Sequence, residues 1–305
     1  MNITLFFIHC QHYICLSVFN ESIPTHHTFQ LFFAKSPYFF YCYIIEEKEL
    51  NNLNKTALIT GASSGLGLEF AKIFAEAEYN LVIVARSKDK LEAFADSYPN
   101  TEMKIMAKDL SKPGAPKEVA EELDRLGIQV DVLINNAGFG LLGSFAELSL
   151  EKQTEMMQLN MTALTELTHL FLLGMLERNS GRILNVASMA AFQPGPMMAV
   201  YFATKAFVLS LSEALAEELV HTNITVTALC PGATKTNFGT VASVEETKMF
   251  SQAMPAAQVA KEAVNGLLQG KRVVITGNRN KAGAFASKLL PRSTTAKVVK
   301  SFIRT

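Results

Sequence analysis

The sequence predicts an α/β fold: a doubly wound parallel sheet of about seven strands, Rossmann-like, with helices on both faces, in a single domain. Three observations predict it. Short apolar runs without polar alternation recur along the chain, as strands buried on both faces require. Segments with helical apolar spacing separate these runs. The first run opens into a glycine-rich turn and then directly into a helix.

The elements follow in order. Thr56–Thr60 is a short apolar run ending at Gly61. From Gly65 to Glu78, the side chains of Leu66, Phe70, Ile73 and Phe74 share one helical face. Asn80–Ala85 reads as the second strand, Lys88–Tyr98 as a helix, and Met103–Ala107 as the third strand. A helix over Ala115–Leu126 is closed by Gly127, and Val130–Asn135 is the fourth strand. Two helices are predicted over Ser149–Met161 and Ala163–Arg178. Strand Arg182–Ala187, helix Ala199–His221 and strand Ile224–Cys230 follow. Helices near Val244–Met254 and over Ala257–Leu268 precede a last strand, Arg272–Thr276.

No linker breaks this rhythm, so residues 54–277 read as one domain. Residues 278–305 read as a basic amphipathic tail, with Lys281, Lys288, Arg292, Lys297, Lys300 and Arg304 around Phe285, Leu289, Leu290, Val298, Val299 and Phe302. Such a tail packs on its own domain or a neighbouring subunit, or lies on a membrane surface.

Residues 1–53 differ in kind. They contain no Gly and hold three of the four cysteines (Cys10, Cys15, Cys42) and four of the six histidines. The break in composition predicts a non-globular extension translated from a misplaced start. Its apolar run at 4–19 is interrupted by His9, Gln11 and His12, which argues against a membrane span. The spacing of His9, Cys10, His12 and Cys15 matches no closed zinc pattern, so no metal is expected. Cys230 stands alone in the remainder, which suits a reducing, cytoplasmic setting. With 28 basic and 28 acidic residues the chain has no net charge to attract nucleic acid.

The chemistry-bearing residues cluster where strands end. Thr60-Gly61-Ala62-Ser63-Ser64-Gly65-Leu66-Gly67 leads from strand to helix. Glycines there allow positive φ and close backbone approach, and a helix N-terminus favours a pyrophosphate. Asp109 and Leu110 follow the third strand, Asn135-Asn136-Ala137-Gly138 ends the fourth, and Pro231-Gly232 ends the sixth. Tyr201 and Lys205 lie one helical turn apart, thirteen residues after Ser188. A lysine cation at i+4 lowers a phenol's pKa and suits it to proton transfer.

With these motifs in this order, residues 54–277 resemble the short-chain dehydrogenase/reductase family. The glycine loop resembles its cofactor loop, Asn135–Gly138 its sheet-stabilising motif, and Asn160, Ser188, Tyr201 and Lys205 its catalytic set. Pro231, Gly232 and Thr234 resemble the segment that holds the nicotinamide carboxamide. The resemblance implies that Tyr201 is the acid in reduction and the base in oxidation. It implies that Lys205 lowers the Tyr201 pKa and binds the nicotinamide ribose, that Ser188 holds the substrate oxygen, and that Asn160 holds a water linking Lys205 to solvent. It also implies a homodimer or homotetramer through the long helices flanking Ser188.

The second strand bears on the choice of cofactor. NAD-specific sites place an acid at its end, whereas this chain reads Val84-Ala85-Arg86-Ser87. A guanidinium suits a 2′-phosphate, so NADP(H) is expected. The predicted cofactor contacts are therefore Gly61, Ser63, Ser64, Gly65, Leu66, Gly67, Arg86, Asp109, Leu110, Asn136, Ala137, Gly138, Tyr201, Lys205, Pro231, Gly232 and Thr234.

Phe139, Leu141, Leu142, Ala190, Phe192, Met197, Met198 and Phe238 form the expected substrate pocket, which suits a small hydrophobic carbonyl or alcohol. Residues 237–254 are expected to cover it as a lid. Two alternatives stand beside this: a membrane-associated lipid or acyl-chain ketoreductase, and a non-catalytic NADP-binding protein.

Overall fold

The computed structural model of the chain describes residues 4–10, 13–19, 30–31 and 55–303, except 246 and 249. Most of the 1–53 extension, with the start site expected within it, and Arg304 of the tail lie outside the described residues. In the N-terminal unit, β1 (Thr4–Cys10) pairs antiparallel with β2 (Tyr13–Phe19), and β2 with β3 (Gln30–Leu31).

The second unit spans Leu50–Thr305. Its sheet comprises β4 (Thr56–Thr60), β5 (Asn80–Ala85), β6 (Met103–Ala107), β7 (Val132–Asn135), β8 (Gly181–Val186), β9 (Ile224–Cys230) and β12 (Val273–Ile275), while β10 (Thr234–Lys235) and β11 (Met254–Pro255) form a separate short pair. The large sheet runs β12-β9-β8-β7-β4-β5-β6, parallel throughout. This is the doubly wound sheet of seven strands that the sequence predicts.

Alternation along β4 shows why both faces are covered. Ala57 and Ile59 point into one core with Phe70 and Phe74 of α1 (Gly65–Glu76). Leu58 points into the opposite core with Val119 and Leu123 of α3 (Ala115–Arg125). Leu58, Ile59, Phe70 and Leu123 are essentially inaccessible to water. Each contributes roughly 1.5–3 kcal/mol by burial. The α2 helix (Lys88–Asp96) packs against β5 and β6. The strand order reverses between β4 and β7, so a crevice opens at their carboxyl ends, where ligands bind in such sheets.

The structure departs from the predicted elements in two places. The two helices expected over 149–178 are one uninterrupted run, in which α4 (Leu150–Met157) passes through a π-helical turn at Gln158–Ala163 into α5 (Leu164–Arg178). A π turn holds an extra residue without ending the helix, and the periodicity of Leu and Met does not reveal it. The helix expected near Val244–Met254 does not form. The chain makes only α7 (Phe238–Val241) and then turns, with Ser243 in the left-handed region at φ 56. The main-chain pairing of Thr234 with Met254 draws this segment back across the sheet edge.

Three further helices complete the unit. They are α8 (Ala256–Leu268), α9 (Asn278–Leu289) and α10 (Arg292–Ile303). Val299 and Ile303 of α10 are buried in a cluster with Met198 and with Tyr201 and Phe202 of α6 (Ala199–Glu218).

Candidate active site

The glycine loop is anchored before anything is asked of it. The Thr60 hydroxyl donates to the Ile134 carbonyl at 3.2 Å and accepts from the Asn136 and Ala137 amides at 2.9 and 3.0 Å. The Asn136 side chain donates to the Thr60 carbonyl at 2.8 Å. These bonds tie the ends of β4 and β7 together at the reversal point. Gly61 and Gly65 take φ of 68 and 58, which favours glycine at both. Ser64, the residue capping α1, makes no side-chain cap. The first amides of that helix thus remain available to an anion.

A polar lattice under the sheet's other half sets the catalytic candidates. Asn135 donates to Thr168 and to Asn185, both at 2.9 Å, and Asn185 donates to Ser212 at 3.0 Å. This chain of buried amides and hydroxyls locks β7, β8, α5 and α6 in register.

Tyr201 lies in the first turn of α6, buried, with its ring 5.3 Å from that of Phe238. Ser188 follows β8, accepts from the Ala190 amide at 3.1 Å, and hydrogen-bonds Tyr201. Lys205 is also buried. Its Nζ donates to the Val186 carbonyl at 2.6 Å and lies 5.9 Å from the centre of the Tyr201 ring.

The electrostatics differ from the expectation that Lys205 would hold the phenol low. Burial pushes Tyr201 up to about 12, against the opposing Ser188 hydrogen bond. Burial also brings Lys205 down to about 8. Desolvation disfavours the charged form of each, and the ammonium spends its short hydrogen bond on a carbonyl.

One cavity of about 1040 Å³ collects most of the predicted residues. Gly61, Ser63, Ser64, Gly65, Leu66, Arg86, Asp109, Leu110, Asn136, Ala137 and Gly138 line it, as do Pro231, Gly232 and Thr234. So do Ser188, Tyr201 and Lys205, together with Phe139, Ala190, Met198 and Phe238. Arg86 is exposed at the end of β5 and close enough to act on Asp109. Burial raises the Asp109 carboxyl, but hydrogen bonds from Ser111 and the charges of Arg86 and Lys112 outweigh it and leave it low.

Six predicted residues do not line the cavity. Gly67 is buried where α1 crosses the loop, and its role is close packing against Gly61. Asn160 turns inward from the π-helical turn. Its Oδ1 accepts from the Phe139 amide at 3.1 Å, and its Nδ2 donates to the Phe139 carbonyl at 2.9 Å and to Thr204 at 3.2 Å. Leu141 and Leu142 pack against the Tyr201 cluster, and Met197, in the left-handed region at φ 68, is turned to solvent. Phe192 points the other way, against Leu164, Ala187 and Val208, because the 3₁₀ turn Met189–Phe192 carries it past the cavity.

Other residues join the site without any sequence signal. Thr204 donates to the Tyr201 carbonyl at 2.7 Å and so couples Asn160 to the helix that carries Tyr201 and Lys205. Its place on the turn between Tyr201 and Lys205 is the only hint in the sequence. Thr236, Val299 and Phe302 line the cavity too, whereas Val244, Phe250 and Met254 line it from the 237–254 segment that the sequence expected over the pocket. Chemically, the arrangement is a phenol bonded to a hydroxyl beside an amine, with glycine-rich backbone at one end and apolar side chains at the other.

Comparison with known proteins agrees with this geometry. Residues 55–247 match the family described as short chain dehydrogenase. Ketoacyl reductase HetN from Nostoc sp. is 31% identical over 241 residues, which is 77% of this chain and 83% of that one. A very-long-chain 3-oxoacyl-CoA reductase from Aspergillus terreus is 36% identical over 181 residues, covering 56% of this chain and half (50%) of that protein's length. A solved short-chain dehydrogenase from Sphingobium yanoikuyae, in complex with NADPH, aligns with a TM-score of 0.70 at 32% identity, over 82% of this chain and 97% of that one. The chain belongs to the short chain dehydrogenase family of oxidoreductases.

Proposed function

We propose that this enzyme reduces a hydrophobic ketone or aldehyde with NADPH, and that Tyr201 is its proton donor. The observation that carries the proposal is the Ser188–Tyr201–Lys205 set in one cavity with the glycine loop and an apolar wall. The loop residues fit a dinucleotide, with left-handed glycines and uncapped helix amides where a pyrophosphate would rest. Gly61, Ser63, Ser64, Gly65 and Leu66 would hold the phosphates, Arg86 the 2′-phosphate, and Asn136–Gly138 with Pro231–Thr234 the nicotinamide end. When bound, NADPH supplies the hydride.

The protein's own groups do the rest. A phenol raised to about 12 stays protonated at neutral pH, so Tyr201 is ready to give a proton to a nascent alkoxide. Ser188 shares that oxygen and stabilises its developing charge. Lys205 supplies positive charge beside the phenol, and Asn160 acts through Phe139 and Thr204 to hold the floor of the site. The state of Tyr201 favours the reductive direction. The names of the ketoacyl and 3-oxoacyl-CoA reductases support an oxo-acyl substrate, as do Met198, Phe238, Phe250 and Val299 along the wall. Exposed Leu173, Leu176 and Phe207 on α5 and α6 supply apolar surface for a homodimer through these helices.

Two measurements test this. NADPH consumption across a panel of acyl, aliphatic and steroid-like ketones should rise with apolar size, and turnover confined to small polar carbonyls would overturn the assignment. With the best substrate, Arg86→Asp should lower the kcat/KM ratio of NADPH to NADH roughly 10- to 100-fold, the worth of one charge-assisted hydrogen bond. An unchanged ratio removes Arg86 from cofactor choice.

The pH profile gives a further check. Lys205 is depressed to about 8, so its cation is present below that pH and lost above it. Tyr201 stays neutral throughout this window. The kcat/KM for reduction should therefore fall as pH rises through about 8. A profile that is flat to pH ~10 would show that the Lys205 charge is not needed.

A further inference from the structure

The chain has 28 basic and 28 acidic residues, but its C-terminal part is not balanced. No Asp or Glu occurs after Glu262, and residues 278–305 hold seven Lys and Arg. Among the described residues, Arg279, Lys281, Lys288, Arg292, Lys297 and Lys300 form no salt bridge.

The same two helices hold large apolar side chains in solvent. Phe285 is 66% exposed and Leu289 70%, one turn apart on α9, and Leu290 between the helices is exposed. Val298 and Phe302 repeat the pattern on α10. Thr295, Val299 and Ile303 on α10 are buried, so the exposed stripe is the outward side of a docked helix. Apolar anchors among unpaired cations and no acids are what a helix lying in an anionic bilayer interface presents. A second copy would bring like charges together, which opposes self-association here. Phe302 lines the cavity as well as standing exposed, and Val241 does the same.

We propose that α9 and α10 form a docking surface for an anionic lipid bilayer, holding the cavity mouth at the lipid so that membrane-dissolved substrate enters past Phe302 and Val299. The delivery step rests on the reductase function proposed above; the docking does not.

The test uses the full chain sedimented with vesicles of phosphatidylcholine alone or mixed with phosphatidylserine. Pelleting is expected with the mixed vesicles, little with the neutral ones, and less as salt rises. Lys288→Glu with Arg292→Glu should lower partitioning by about fivefold or more per charge. Phe285→Ser with Leu289→Ser should also release the protein. None of these four residues lines the cavity, so NADPH consumption on a water-soluble ketone should be unchanged. Failure to pellet on phosphatidylserine vesicles overturns docking, as do variants that pellet like the wild type. Capture on soluble polyglutamate without vesicle binding marks an acidic protein partner instead and also overturns it. A wild type that docks but consumes no NADPH on any ketone leaves docking standing and removes the reductase function.

Discussion

Replacing Tyr201 with Phe should lower kcat for ketone reduction by about 10³-fold, within the range a positioned general acid supplies. The change removes one hydroxyl and leaves the ring, so packing against Phe238 and Phe202 is retained. Ser188 loses one partner but keeps the Ala190 amide and lines the cavity, where water can replace the phenol, so stability should change by less than about 1 kcal/mol. NADPH binding, read by nicotinamide fluorescence, should be within a few-fold of wild type. This combination separates a proton donor from a structural tyrosine. A variant that keeps about a tenth of its turnover would reject the mechanism.

The second large effect is expected at Gly67, through geometry alone. A methyl group there would drive into the Gly61 carbonyl oxygen and come within 2.6 Å of the Asn136 amide nitrogen. Both are rigid, since Gly61 is backbone and Asn136 is held by Thr60. Gly67→Ala should therefore push α1 off the end of β4. A loss of about 3 kcal/mol is expected, or roughly 6–12 °C in Tm for a domain of this size. NADPH affinity should fall as well, because the displaced turn carries the amides that would meet the pyrophosphate. Gly174→Ala is the control. Its methyl would meet only the flexible end of Arg178, and helix propensity favours alanine by about 1 kcal/mol. A Gly67→Ala protein with unchanged melting and cofactor affinity would contradict the close packing described for the loop.

Much of this was legible in the sequence because it is local. A buried parallel strand is a largely apolar run, and the seven strands were legible as such even where Lys104, Arg182 or Thr225 interrupts them. The glycine loop, Ser188, Tyr201 and Lys205 stand at fixed offsets from strand ends, so naming the strands placed them. What the sequence hid depends on contacts between distant segments. Nothing near Thr60 indicates that its hydroxyl serves Asn136 and Ala137, more than seventy positions away. The π turn that aims Asn160 at Phe139 rather than at the cavity has no signature in residue spacing. The segment after Val241 has helical spacing, yet its pairing with β10 and the left-handed Ser243 prevail. The proton affinities of Tyr201 and Lys205 depend on burial, which a motif does not encode.

Val299 and Phe302 reach the cavity from α10, well after every residue proposed to hold the cofactor or move a proton. One end of the apolar wall thus comes from a late segment, while Phe139, Ala190, Met198 and Phe238 supply other parts of it from among the proposed catalytic residues. Exchanging Val299 and Phe302 between relatives would reshape this end of the wall while leaving the glycine loop, Ser188, Tyr201 and Lys205 unchanged in sequence.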